Sequence, residues 1–393
     1  MPKHILFAWE LGARWGHLAS ILPVAHALKA RGYRLTLAAQ DPLLALSVAD
    51  HPFDRVLAAP FQRATTSRPC ITYADVIAPH GFDRVETCVA LLTAWRMLFD
   101  LVAPDLIVIE HAPGALTAAA LDGRALQSLG TGWSCPKLES PLPDLAPLRP
   151  ATWAERTASE TAVLDVINDA AQRLGAPAHA SLAALFGKAP DFLMTWPELD
   201  HYGMRADGYY YGPIKSIGAT ARPDWPAGDG PRCFIYLPAK AKVLPGLVSA
   251  LARLGWPCIL HSAGPYEGPL PTTIAYSRKP VDVPWLLPQA DIIINRGGHG
   301  LMVEAMRAGC VQFHWPDTFE SRLCALRLAH HGAALVGPAD PTPDALQLTL
   351  EQGWTSPRLK AASRAIAQRY GAFDEMAALD ELVEDMLADA GWA

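Results

Sequence analysis

No apolar run in the 393-residue sequence is long enough to cross a bilayer. The run Ile5 to Trp9 near the N-terminus is too short for a signal-peptide core. A cytoplasmic protein without a membrane span is therefore expected. No two cysteines are spaced Cys-x-x-Cys, and Cys70, Cys88, Cys135, Cys233, Cys258, Cys310 and Cys324 are odd in number. That argues against structural zinc and a disulfide framework, and for reduced core thiols. A positive surplus is lacking too: the formal net charge is -6, which offers nucleic acid no general attraction. Low-complexity tracts and short repeats are absent. Charged residues make up 18% and hydrophobic ones 51%, a balance that excludes disorder and fits a packed enzyme. The length is too great for one ordinary core, so two domains are expected.

The first segment has a βαβ rhythm. His4 to Trp9 is a continuous apolar run, as in a buried parallel strand. Gly12 to Gly16 turns the chain. Leu18, Ile21, Leu22, Ala25 and Leu28 then recur at helical spacing, and Arg31-Gly32 ends that helix. Tyr33 to Ala39 is the next strand. Further strands are predicted at Arg55 to Ala58, Asp105 to Ile109 and Phe192 to Thr195. Helices are predicted at Asp83 to Leu101, Pro113 to Leu121 and Trp153 to Leu174. Ser134 to Pro150 is rich in proline and polar residues and reads as a long surface loop.

The rhythm restarts after a segment containing Gly212-Pro213 and Arg222-Pro223-Asp224-Trp225-Pro226. Strands are predicted at Cys233 to Leu237, Cys258 to His261, Asp291 to Asn295 and Val311 to His314, with a helix at Leu244 to Leu254. An acidic amphipathic helix, Phe373 to Ala390, closes the chain. The expected layout is a Rossmann-like domain over 1–212, a linker over 213–230, a second Rossmann-like domain over 231–372, and a helix over 373–393 returning to the first. Two doubly wound α/β domains in tandem would face each other across a ligand-binding cleft.

Asp291-Ile-Ile-Ile-Asn295-Arg296-Gly297-Gly298-His299-Gly300 is the most informative segment. An apolar strand runs into a basic residue and glycines, and a helix begins at once. Glycines let a phosphate approach the backbone, and the first-turn N–H groups point at it. Arg296 can add charge-assisted hydrogen bonds. Glu304 follows one turn later, where a carboxylate can accept from ribose hydroxyls. On the glycines alone, a plain tight turn is an equal reading.

The stretch Pro280 to Ala325 resembles the nucleotide-sugar signature of inverting glycosyltransferases with the GT-B fold. These include UDP-glucosyl- and glucuronosyltransferases and bacterial antibiotic glycosyltransferases. The resemblance places Val283 and Trp285 in a base-side loop, and Gly297, Gly298, His299 and Gly300 under the diphosphate. It places Glu304 at the ribose, and Glu320 and Ser321 in the sugar-contacting segment after Pro316. The pattern also departs from the family. Arg296 stands where histidine is usual, Leu301 replaces a hydroxyl residue, Val311 a proline, and Ser321 a glutamine. The donor implied is a UDP- or dTDP-sugar, a co-substrate, and no cofactor is expected.

Gly16-His17-Leu18-Ala19-Ser20-Ile21-Leu22-Pro23 resembles, with a longer spacer, the family's N-terminal Gly-His-x-x-Pro helix. The resemblance makes His17 the general base for a small-molecule acceptor. An imidazole titrating near pH ~6.5 suits that task. Such a base needs a carboxylate to hold its tautomer. Glu110, at the end of the strand from Pro104, is the candidate, and His111 beside it is a rival for the role. No Asp-x-Asp occurs in the chain, so a metal-independent enzyme is expected. Trp9, Trp15, Trp95 and Trp133 are candidates either for lining an apolar acceptor pocket or for the core. Two other functions stay open: a sugar-nucleotide epimerase, or a silent sugar-nucleotide-binding partner subunit. A dinucleotide oxidoreductase is disfavoured, because the first loop lacks Gly-x-Gly-x-x-Gly.

Overall fold

A computed structural model describes residues 2–12, 15–64, 69–145, 149–214, 221–338 and 341–392. Ala13 and Arg14 of the first turn, 146–148 of the proline-rich loop and 215–220 of the expected linker lie outside the described residues. The chain divides into two compact units, Met1–Ser216 with Asp374–Ala393, and Ile217–Phe373.

The first unit holds a six-stranded sheet. Its strands are β1 (His4–Trp9), β2 (Arg34–Ala39), β3 (Arg55–Ala58), β4 (Leu106–Glu110), β5 (Leu126–Gly130) and β6 (Asp191–Leu193). They lie in the order β3-β2-β1-β4-β5-β6, every pair parallel. The second unit repeats the plan with β7 (Cys233–Pro238), β8 (Cys258–Ala263), β9 (Ile274–Ser277), β10 (Ile292–Asn295), β11 (Val311–His314) and β12 (Ala334–Val336). Their order is β9-β8-β7-β10-β11-β12, again all parallel. In both sheets the order reverses between the first and fourth strands. Loops leaving the carboxyl ends of those two strands diverge, and ligands bind such sheets there.

The central strands form because their side chains have no wet face. Every residue of β1 and of β10 is buried, as the continuous apolar runs require. Three strands are absent from the sequence-based expectation: β5 and β9, where polar residues interrupt the apolar pattern, and the three-residue β12. In β5 the buried Gln127 is accommodated by tertiary contacts. Its amide donates to the Met386 carbonyl and to Asp389, each at 2.8 Å. Asp105, expected inside a strand, instead precedes β4 and accepts from the His4 backbone N–H at 2.8 Å.

The acceptors for Gln127 belong to the last helix, Glu375–Asp389, which packs in the first unit against the helix Trp15–Ala30. Leu382, Val383 and Met386 are fully buried there. Each contributes roughly 1.5–3 kcal/mol of burial. Tyr211 donates to Asp385 at 2.7 Å, and Arg31 pairs with Asp380 at 3.1 Å. Residues 221–230 pack with the second unit: Arg222 pairs with Asp282 at 2.9 Å, and Trp225 lies against its core. All seven cysteines are free thiols. Among the described residues, no helix is long and apolar enough to cross a membrane.

Candidate functional site

In the first unit, β1 and β4 flank the reversal point, with Trp9 in register beside Glu110. The chain leaves β1 through Glu10, Leu11 and Gly12 and enters the helix Trp15–Ala30, which carries His17. The His17 ring meets the Glu110 carboxylate, with Nδ1 2.9 Å from each oxygen. A carboxylate oxygen in this pair accepts, so Nδ1 carries the hydrogen and Nε2 is left as the basic nitrogen. Both side chains are largely withdrawn from water, at 16% and 7% exposure. The ring stacks on Trp9, with centroids 5.7 Å apart. Gly12 has φ +81°, and a Cβ there would overlap the imidazole at Nε2. Only glycine lets the ring lie against this turn.

His111 is placed differently. Its ring lies 5.7 Å from that of His17, its backbone is left-handed at φ 48°, and neither ring nitrogen has a hydrogen-bond partner. Burial, then the nearby His17 and His80, hold its pKa well below the ordinary imidazole value. It is a neutral wall of the site, whereas His17 has a carboxylate.

Glu10 had no sequence signal beyond its place at a strand end. Its fully buried carboxyl accepts from the Gly114 and Ala115 N–H groups at 2.7 and 3.2 Å. These begin the helix Pro113–Leu121 that follows Glu110 and His111. The Leu11 N–H also donates to the His111 carbonyl at 2.9 Å. Together these bonds tie the loop that leads to the His17 helix to the segment that follows Glu110. Burial raises the Glu10 pKa to about 8, against the lowering effect of those two N–H donors.

Trp9 and Trp95 are fully buried, Trp133 nearly so, and Trp15 is exposed. For Trp9 and Trp95 the core reading therefore holds. Trp9 Nε1 donates to the Leu11 and Gly12 carbonyls at 3.0 and 2.9 Å, bracing the turn.

The second unit builds its turn after β10, beside β7. Asn295, the last residue of β10, uses its side-chain oxygen to accept from the Gly297 N–H at 2.6 Å and from His314 Nδ1 at 2.9 Å. His314 is buried, which lowers its pKa to about 3 and keeps it neutral. Gly297 has φ +81°, and a Cβ there would sit 2.6 Å from the Ser321 carbonyl. The helix His299–Ala308 starts directly, and Gly298 supplies no side chain to cap it. His299 and Gly300 form its first turn, and Glu304 is buried further along it.

Other sequence candidates are arranged around this helix. Arg296 donates from Nη1 to both oxygens of Asp317, at 3.1 and 3.0 Å. Its charge is thus already balanced by a residue the motif match did not single out. Glu320, half-buried, lies in the first turn of the helix Phe319–His330. Ser321 is buried, and its hydroxyl is held in that helix's capping box by Thr318, at 2.8 Å. Val283 and Trp285 belong to a short helix, Val283–Leu286, that packs against His299–Ala308. The Arg222 guanidinium lies over the Trp285 ring at 5.6 Å.

No protein-family model matches the chain, and no curated protein matches it. Solved structures do. CalG4, the calicheamicin glycosyltransferase, is 19% identical with a TM-score of 0.71, and the match covers 98% of each chain. The glycosyltransferase SnogD from Streptomyces nogalater is 19% identical with a TM-score of 0.62, over 100% of both chains. The glycosyltransferase VinC in complex with dTDP is 18% identical with a TM-score of 0.63, covering 98% of this chain and 100% of the other. The chain therefore has the two-domain α/β fold found in these glycosyltransferases.

Proposed function

We propose that the chain is an inverting, metal-independent glycosyltransferase that moves a sugar from a UDP- or dTDP-sugar to a small-molecule acceptor. The observation that carries this reading is the His17–Glu110 pair at the reversal point of the first sheet, with contacts of 2.9 Å. A histidine whose Nδ1 is tied to a carboxylate presents Nε2 as a base. The fold shared with glycosyltransferases, one of them crystallised with dTDP, supports a nucleoside diphosphate as the leaving group.

In this reading, His17 Nε2 takes the proton of an acceptor hydroxyl. The acceptor oxygen bonds to the anomeric carbon as the bond from that carbon to the diphosphate oxygen breaks. Configuration inverts, and no covalent enzyme intermediate forms. Charge developing on the diphosphate is met by N–H groups of the helix His299–Ala308 and by Arg296. Glu110 stabilises the imidazolium as it forms. Val283 and Trp285 bound the nucleobase side, Glu304 serves the ribose, and Glu320 serves the sugar. Ser321, committed to its capping box, shapes the backbone of that segment.

The test starts with a thermal-shift screen of UDP-, dTDP- and GDP-sugars, because ligand binding raises the melting temperature by mass action. Release of nucleoside diphosphate from the selected donor is then followed with an acceptor panel, with and without excess EDTA. Full activity in EDTA is expected. Activity abolished by EDTA and restored by manganese would overturn metal independence. Donor consumption without any acceptor would favour an epimerase or a hydrolase.

A further inference from the structure

A cavity of about 370 Å³ opens in the first unit beside the β1 turn. Its walls come from the loops that leave β1, β2 and β3, and from His80. Gly12 is one wall, and His17 Nε2 lies against the space where a Gly12 Cβ would be. Gly12 therefore touches both the cavity and the imidazole. Its size falls in the range of small-molecule sites.

The lining is mixed in a particular way. Phe61 and Leu11 supply apolar surface, and Phe61 is the aromatic carbocycle among the walls. Gln40, Asp41, Gln62 and Arg63 supply amide and charged groups. Asp41 Oδ1 accepts from the Leu44 N–H at 3.0 Å, capping a short helix. His80 Nδ1 lies 3.0 Å from the Gln62 carbonyl. A carbonyl only accepts, so Nδ1–H donates, and Nε2 is the ring's other polar atom. The walls thus offer donors and acceptors beside the apolar surface of Phe61 and Leu11.

We propose that this cavity is the acceptor site and that its ligand is a polyhydroxylated ring, a sugar or cyclitol, rather than an apolar aromatic aglycone. The proposal rests on the glycosyltransferase reading given above. A pyranose or cyclitol has one C–H face to lay on Phe61 and a rim of hydroxyls for Gln40, Asp41 and Gln62. An apolar aglycone would cover those polar groups without pairing them, and a site built that way discriminates strongly against ligands lacking the hydroxyls. None of the four tryptophans is among the walls: Trp9 and Trp95 are in the core, Trp133 is nearly buried against His111, and Trp15 is exposed.

The test is saturation-transfer NMR on the full chain with methyl α-glucopyranoside, methyl α-mannopyranoside and myo-inositol at millimolar concentration, against 4-methylumbelliferone as a planar phenol. Saturation transfer to the ring C–H protons of at least one polyol is expected. In Phe61→Ala and in Gln40→Ala the affinity for that polyol should fall by about fivefold or more, the loss of one good contact. Gln40 lies at a strand end outside the core, so its variant keeps the test valid if Phe61→Ala does not fold. Transfer to the phenol alone, to no polyol, or to a polyol equally in both folded variants would overturn the proposal. The thermal shift by nucleotide-sugars is read on the same samples. If it is absent while polyols bind as expected, the glycosyltransferase reading fails and the polyol site stands.

Discussion

In the first unit the glycine turn follows the first strand, β1; in the second it follows the fourth strand, β10. Both turns sit beside the reversal point of sheets with the same strand order. Gly12 and Gly297 share φ +81°, yet the space each leaves is filled by different chemistry. At Gly12 a side chain enters, the His17 imidazole. At Gly297 a backbone carbonyl enters, that of Ser321. The first turn is therefore shaped to place an ionisable ring, and the second to bring two backbone segments close at a helix start. A proton-transfer site needs the former, and an anion site the latter.

The largest effect is expected from removing the ring itself. His17→Ala should lower turnover by about a thousandfold, within the range for a lost general base, while the nucleotide-sugar thermal shift is kept. Loss of both together would mean that the first turn also supports donor binding and would blur the contrast. Glu110→Gln comes next. The amide keeps the shape but cannot stabilise an imidazolium, and steady-state kinetics should show a fall of about a hundredfold. Wild-type turnover would remove Glu110 from the mechanism.

Gly297→Ala tests the second turn. A left-handed backbone and a Cβ 2.6 Å from the Ser321 carbonyl impose strain of about 1–3 kcal/mol, so donor affinity should fall roughly tenfold to a hundredfold by calorimetry. Gly332→Ala is the control: its backbone is also left-handed, at φ +72°, but the added methyl meets nothing closer than 3.9 Å. Equal losses in the two variants would mean that the strained turn is not what matters.

Glu10 gives a pH-dependent contrast within the first unit. Its folded-state pKa of about 8 stands above the ordinary 4.5, so the protonated form favours the fold. That contribution is complete below pH 4.5 and is lost as the pH rises to about 8. Glu10→Gln removes the titration. Urea unfolding should show the variant gaining on the wild type across that window, with a slope of at most about 1.4 kcal/mol for each step of one in pH. A pH-independent difference would show that Glu10 is not protonated in the fold. The smallest change is expected from Asp317→Asn, which frees the Arg296 charge for the diphosphate. Donor affinity measured by calorimetry should rise by about twofold to fivefold, as for a partly exposed ion pair. A fall would mean that Asp317 is needed to aim the guanidinium.

The parallel framework was legible because buried strands leave continuous apolar runs, as in Ile292-Ile293-Ile294 before the glycines. The glycine positions were legible because left-handed turns and close approaches exclude other residues. What stayed hidden depends on distant partners. The buried Gln127 amide of β5 is satisfied by the last helix, far away in sequence. Asp317 holds Arg296 from another loop, and no local pattern marks it. Glu10 looks like any polar strand end until the helix Pro113–Leu121 is packed onto it.

The central claim is that the turn at Gly297 binds a nucleoside diphosphate. Calorimetric titration of the wild-type chain with dTDP and with UDP tests it most directly. Saturable one-to-one binding of at least one of them, weakened in Gly297→Ala and kept in His17→Ala, is the predicted result. No binding of either nucleotide to the folded wild-type chain, or binding that Gly297→Ala leaves unchanged, would contradict it.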